Sequence, residues 1–222
     1  MSVVVIAGSV GVAIVLWAFI AWKRIRDERR QQLAFHRRLA DTAERLEAER
    51  RAAFLQYASH VLALSADYES TLATVARLAV PRVADWCVVD LLRENGTVES
   101  VAMAHVDPAK VALIRELRRA YPVDPNAAYG VGAVLGSGRA AVYPEVPDRV
   151  LEAAAQDVEQ LKIARALGMQ SAMAVPLLIG GRRLGVISFM TAESGRRFVP
   201  ADLSFAEELA QRVAIAIDSA RP

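Results

Sequence analysis

Two apolar, β-branched runs, Ser171 to Ile179 and Arg182 to Thr191, are separated only by Gly180-Gly181. Adjacent glycines supply the positive backbone angles that a two-residue type I′ turn requires, so this stretch predicts a β-hairpin. Its strands are apolar along most of their length, which places them in the middle of a sheet rather than at its edge.

A second hairpin is expected upstream, where Trp86 to Leu92 and Thr97 to His105 flank a turn carrying Asn95-Gly96. Helical spacing of apolar residues predicts helices over Phe54 to Ser65 and Tyr68 to Val80, the second stopped by Pro81. Asp107-Pro108 opens a helix running to about Tyr121, bounded by Pro122 and Pro125. Arg115, Arg118 and Arg119 lie on its polar side and read as solvated. Pro200-Ala-Asp-Leu starts a closing amphipathic helix carrying Leu203, Phe205, Leu209, Val213 and Ile217. Strands grouped between helices at both ends imply an α+β antiparallel sandwich.

The N-terminal stretch is of another kind. No residue from Ser2 to Trp22 is charged, and as a helix this run is roughly 30 Å long, enough to cross a bilayer. Lys23, Arg24, Arg26, Arg29 and Arg30 follow at once. The positive-inside rule then predicts a single-pass protein of the cell inner membrane with its body in the cytoplasm, and Trp17 and Trp22 in the headgroup zone. The expected division is 1–22 transmembrane helix, 23–53 helical linker and 54–222 domain. Residues 23–56 contain no Gly or Pro, which favours one continuous helix. Leu39, Ala43, Leu46 and Ala53 are spaced like a coiled-coil seam that Arg50 interrupts; a solvated single helix and a weak parallel homodimer both fit. Residues 23–51 hold 10 basic and 6 acidic side chains, against 17 and 19 in 52–222. The basic excess is thus confined to the linker, where anionic lipid would meet Lys23 to Arg30, and no nucleic-acid partner is needed to explain it.

The run Ser171-Ala-Met-Ala-Val-Pro-Leu-Leu-Ile-Gly-Gly-Arg-Arg-Leu-Gly185-Val-Ile-Ser-Phe, with Phe198-Val-Pro-Ala-Asp-Leu and Ala214-Ile-Ala-Ile-Asp-Ser-Ala-Arg221 after it, resembles the C-terminal half of a GAF domain. Upstream, Gly132-Ala-Val-Leu-Gly-Ser-Gly-Arg139 resembles the short helix and turn before that family's middle strand. The likeness extends from about Phe54 to Arg221 and is nearest to GAF domains of bacterial sensor kinases and serine phosphatases. It implies a central antiparallel sheet with the terminal helices on one face and a lidded small-molecule pocket on the other. The lid is then His105 to Tyr143, with His105, Tyr121, Tyr129 and Tyr143 as ligand-orienting candidates, and Ser171 and Met173 as candidates for the pocket floor.

Several chemistries are disfavoured. Gly130, Gly132, Gly136 and Gly138 miss the GxGxxG pattern at Leu135, and no Gly-Lys-Ser/Thr follows a glycine-rich loop. His36, His60 and His105 form no HExxH motif or close pair, so no metal site is expected. His105 alone is a candidate haem ligand; the cofactor is otherwise unknown. The lone Cys87 sits in an apolar strand, reads as a buried core thiol, and cannot form the resolving pair used by the GAF-fold sulfoxide reductases. The asparagine, lysine, phenylalanine and aspartate-glutamate signature of cyclic-nucleotide GAF domains has no counterpart. The resemblance therefore implies a non-enzymatic sensory or regulatory module that binds a small ligand or partner and signals through dimer helices, with a separate kinase or phosphatase as output. A ligand-free interaction scaffold, or an N-terminal fragment of a sensor histidine kinase or serine phosphatase, are the alternatives.

Overall fold

The computed structural model describes the backbone of residues 2–63 and 68–220; side chains are described from residue 22 onward, apart from positions 25, 27, 28, 30, 31, 33, 34 and 68 and the undescribed segments. The chain divides into two compact units, Met1–Ala52 and Ala53–Pro222.

The first unit is helical. Helix α1, Ser2–Ala63, runs through it unbroken and ends in the second unit. With neither Gly nor Pro after Gly11, nothing interrupts it, and Arg51 bonds Glu47 one turn back at 3.3 Å. Phe35, Leu39 and Leu46 are exposed along it, and the Arg26 guanidinium lies 4.4 Å over the Trp22 ring. The single-pass inner-membrane placement is corrected here: among the described residues no helix is long and apolar enough to cross a membrane. The physical reason is charge spacing, because spanning takes about 20 consecutive apolar residues, whereas α1 beyond Trp22 carries charged side chains in almost every turn. The side chains of the uncharged run itself, up to Ala21, lie outside the described residues.

The second unit is built on a five-stranded antiparallel sheet of order β2-β1-β5-β4-β3. Its strands are β1 (Trp86–Leu92), β2 (Val98–His105), β3 (Ala141–Tyr143), β4 (Ser171–Ile179) and β5 (Arg182–Thr191). Both expected hairpins form. Gly180 and Gly181 take φ of 55° and 83°, the pair of positive angles that only glycine adopts without strain. β5 lies at the centre, between β1 and β4.

Successive side chains of a strand point to opposite faces, so the sheet has two distinct surfaces. On one, the last turns of α1 join α2 (Tyr68–Ala79) and α7 (Pro200–Ser219) to cover Cys87, Val89 and Leu91 of β1, Met173, Val175 and Leu177 of β4, and Ile187 and Phe189 of β5 in one contiguous core. α7 begins at Pro200, with Asp202 accepting the Val199 amide at 2.9 Å as a cap. On the other surface lie α3 (Pro108–Ala120) and α4 (Gly130–Ser137). There the apolar packing forms two separate clusters. Trp86 and Val88 pack with Ile114 of α3, Leu167 and Ala192; Ala174 and Val186 pack with Val131, Val134 and Leu135 of α4. Gly132 lets α4 approach the preceding loop, since a Cβ there would stand 2.5 Å from the Asp124 carbonyl and 2.6 Å from the Ala127 amide. Two short helices, α5 (Asp148–Ala154) and α6 (Val158–Ala166), complete the unit.

Candidate functional site

The surface beneath α3 and α4 carries a line of polar side chains where the two apolar clusters adjoin. Trp86, Val88 and Asp90 alternate along β1 on this face, and Val88 pairs across the ladder with Ser188 of β5. Ser188 is therefore the diagonal neighbour of both Trp86 and Asp90, about 7–8 Å away between Cα atoms in such geometry. Among the described residues, the buried side-chain atoms with no hydrogen-bond partner are Trp86 Nε1, Asp90 Oδ2 and Ser188 Oγ, and all belong to this line. Each such atom costs roughly 1–3 kcal/mol when left unsatisfied.

Each end of the line is fixed by its surroundings. Asp90 is fully buried. Its Oδ1 accepts a short hydrogen bond from Ser100 of β2, and the guanidinium of Arg118, in the last turn of α3, stands 3.6 Å from Oδ2, beyond hydrogen-bond range. Arg118 is thus directed at the sheet, and the reading of it as a solvated arginine is corrected. At the other end the Trp86 ring stacks on His105, centroids 4.2 Å apart and tilted by 37°. His105 Nδ1 accepts the Asp107 amide at 2.9 Å, so Nε2 carries the proton toward Glu193, 3.3 Å away. Burial, then nearby Lys110, lowers the His105 pKa, with Asp107 and Asp85 pulling the other way. Glu193 also pairs with Lys110 of α3, and Asp107 caps α3 by accepting the Ala109 amide at 2.9 Å. Glu193 is positioned by Asp85, whose carboxylate accepts from the Ala192 and Ser194 amides at 2.7 and 2.9 Å and from the Ser194 hydroxyl at 2.7 Å. Burial alone would raise the Asp85 pKa, but these hydrogen bonds outweigh it and hold it below the usual carboxylate value.

Of the residues expected at the site, only His105 touches this line. Tyr121 donates its hydroxyl to Asp157 at 2.8 Å, tying the end of α3 to the start of α6. Tyr129 is half exposed just before α4. Tyr143 lies on the edge strand β3 and its carbonyl accepts from Ser171 Oγ at 2.9 Å. Ser171 in turn accepts the Phe198 amide at 3.1 Å, so its polar group is used in joining strand to loop. Met173 packs in the helix-covered core, on the opposite face. Cys87 is wholly buried there as well, and burial, then the charge of Asp90, pushes its thiol pKa far up; no thiolate nucleophile is on offer. Trp86, Asp90 and Ser188 are not among the residues expected at the site, and Arg118 was expected to be solvated. The available signal was a lone Asp in Trp86-Cys-Val-Val-Asp90-Leu-Leu and a lone Ser in Val186-Ile-Ser-Phe-Met190, each interrupting an apolar strand.

An open cleft of about 460 Å³ lies elsewhere, at the edge of β4, lined by Gly138, Arg139, Pro176, Leu203 and Glu207 among others. None of the unsatisfied buried atoms belongs to its lining, which leaves the face under α3 and α4 as the better candidate.

Residues 67–217 match the GAF domain family. The fold is similar to the GAF domain of a phosphoenolpyruvate-protein phosphotransferase from Coxiella burnetii, at 18% identity and a TM-score of 0.59 over 77% of this chain and 94% of that one. The corresponding Acinetobacter domain is similar at 17% identity and a TM-score of 0.56, over 77% and 94% of the two chains. Free methionine-R-sulfoxide reductase from Neisseria meningitidis, solved with its substrate, is similar at 18% identity and a TM-score of 0.56, over 79% and 92%. No curated protein matches the chain. At these identities the structural likenesses speak to fold, and the match over residues 67–217 to family: the chain belongs to the GAF domain family.

Proposed function

We infer that this GAF domain, a module of the general sensory and regulatory type, works by binding a small molecule between the sheet and helices α3 and α4. The observation that supports this reading most is the line of buried, unsatisfied polar atoms on Trp86, Asp90 and Ser188. A scaffold gains nothing from three such atoms, whereas a binding face uses them for specificity. A ligand seated there bridges the two apolar clusters and biases how α3 and α4 pack. The sheet then transmits the change to α2, α7 and the end of α1 on its other face, and through these helices to a second copy of the chain or to a separate output protein. The role assigned to the site is binding, and Cys87, on the other face, takes no part in it. A melting-temperature screen of the full chain against a metabolite library tests the reading: a hit raises the melting temperature with concentration above its Kd, and Ser188→Leu, which fills the line, abolishes the response. An unresponsive chain supports the interaction scaffold instead.

A further inference from the structure

We propose that helix α3 is an electrostatically latched cover over the Trp86 half of this face, released by rising ionic strength, so that the domain responds to salt itself. This does not depend on the binding role inferred above. Lys110, Ile114 and Arg118 recur every four residues and so share one side of α3. Each cation on that side faces an acid: Lys110 pairs with Glu193, in the loop after β5, and Arg118 stands 3.6 Å from Asp90 of β1. The apolar contact between them is small. Among the described residues of α3 only Ile114 is buried, with Leu113 and Leu117 partly buried beside it, whereas α7 buries Phe205, Leu209, Val213 and Ile217 among others. A helix with so little apolar burial depends more on its ion pairs for docking. Exposed single pairs contribute little, but these are sheltered and belong to networks. The Lys110 and Arg118 side chains are only 28% and 27% exposed, Glu193 also meets His105 at 3.3 Å, and Asp85 fixes the loop that carries Glu193 by accepting the Ala192 and Ser194 amides on either side of it. The acids are thus held by the sheet, and the cations move with the helix. Screening acts unequally on the two pairs. Glu193 is about half exposed, within reach of solvent ions, whereas Asp90 is wholly buried, and buried pairs are screened much less. Salt therefore loosens the Lys110 end first, and with it the packing of Ile114 against Trp86 and Val88.

The test is amide hydrogen exchange of the full chain in about 0.1 M and about 1 M KCl, between which the Debye length falls from roughly 10 to 3 Å. Exchange over residues 108–120 is expected to quicken several-fold at high salt, most in the N-terminal half of α3, while residues 200–219 of α7 serve as the unchanged reference. With Trp17→Phe and Trp22→Phe, Trp86 is the sole tryptophan, and acrylamide should quench its fluorescence more strongly at high salt. Lys110→Gln should exchange fast in α3 already at low salt and lose most of the salt response. Ile114→Ala should also exchange faster but keep the response, because both ion pairs are intact. An α3 that exchanges at one rate in both salt concentrations overturns the proposal. So does a full response retained in Lys110→Gln, or an equal quickening of α7, which is general destabilisation. The ligand reading is judged separately: a chain that answers no compound in the melting screen but shows this salt response loses the binding role and keeps the latch.

Discussion

β1 presents Cys87, Val89 and Leu91 to one side of the sheet and Trp86, Val88 and Asp90 to the other, and the two sides are packed in different ways. Under α2, α7 and the end of α1 the core is a single apolar cluster. Under α3 and α4 it is split in two, with a fully buried carboxylate, an indole N–H and a hydroxyl where the parts adjoin. Both faces exclude water, so burial by itself does not distinguish them. What distinguishes them is whether the buried polar groups are paired. Under α2 and α7, Ser171 and Thr191 bond to backbone carbonyls and amides; under α3 and α4, three buried side-chain atoms lack a hydrogen-bond partner. One side is a continuous apolar core, and the other is where the proposed binding role falls.

Neighbouring residues of β5 test this contrast with the largest effect. Phe189 is completely buried in the helix-covered core, while Met190, on the opposite face, is partly buried. Phe189→Ala should cost about 3–5 kcal/mol in urea denaturation, and Met190→Ala about 2 kcal/mol or less. Equal losses would mean that the two faces carry the fold equally. Next comes Cys87, where Cys87→Ser puts a hydroxyl into the continuous core and should destabilise by about 1–3 kcal/mol. The native thiol should react with a disulfide reagent only as fast as the domain opens, and rapid reaction at neutral pH would show that this face is not sealed.

Paired and unpaired hydroxyls then make a finer comparison. Thr191 donates to the Arg196 carbonyl at 2.7 Å, so Thr191→Val should cost about 1 kcal/mol, whereas Ser188→Ala, which removes an unsatisfied group, should be neutral or stabilising by up to about 1 kcal/mol. A clear loss of stability in Ser188→Ala would assign that hydroxyl a structural partner. The smallest effect is that of pH. His105 has a folded pKa below its unfolded value, so the unfolded chain binds the proton more readily. The contribution of His105 is complete above about pH 6.5, declines as pH falls below that value toward the folded pKa, and is constant at its lowest below it. Asp85, lowered in the fold, acts later, its stabilisation being present above about pH 3.9 and lost as pH falls through its folded value. Thermal melts of His105→Gln should therefore lack the decline that begins near neutral pH while keeping the acid one; an unchanged profile would remove His105 from the account.

Much of the architecture was legible in the chain because its signals are local. Gly180-Gly181 and Asn95-Gly96 specify tight turns, Pro108 and Pro200 open helices, and Pro81 and Pro122 follow helices that have ended, so both hairpins, α2, α3 and α7 could be placed. Helices α5 and α6 were not foreseen: they are short, have no buried residues, and so leave no apolar stripe to read. The line of polar atoms on β1 and β5 is illegible in the sequence for a different reason. A single Asp or Ser in an apolar strand looks the same whether or not its polar atoms find partners, and that depends on residues brought together from β2, β5 and α3. The tyrosines drew attention because aromatic residues in loops often contact ligands, but Tyr121 is held outward by Asp157, a residue of the α5–α6 segment that local pattern did not resolve.

The most direct test of the contrast is amide hydrogen exchange on the full chain, comparing residues 108–137 of α3 and α4 with residues 200–219 of α7, with and without the compound that most raises the melting temperature. The account predicts that α7 exchanges slowly in both conditions, whereas α3 and α4 exchange markedly faster in the free chain and slow when the compound is added. Slow exchange of α3 and α4 without any compound, unchanged on its addition, would contradict it and make both faces of the sheet structural.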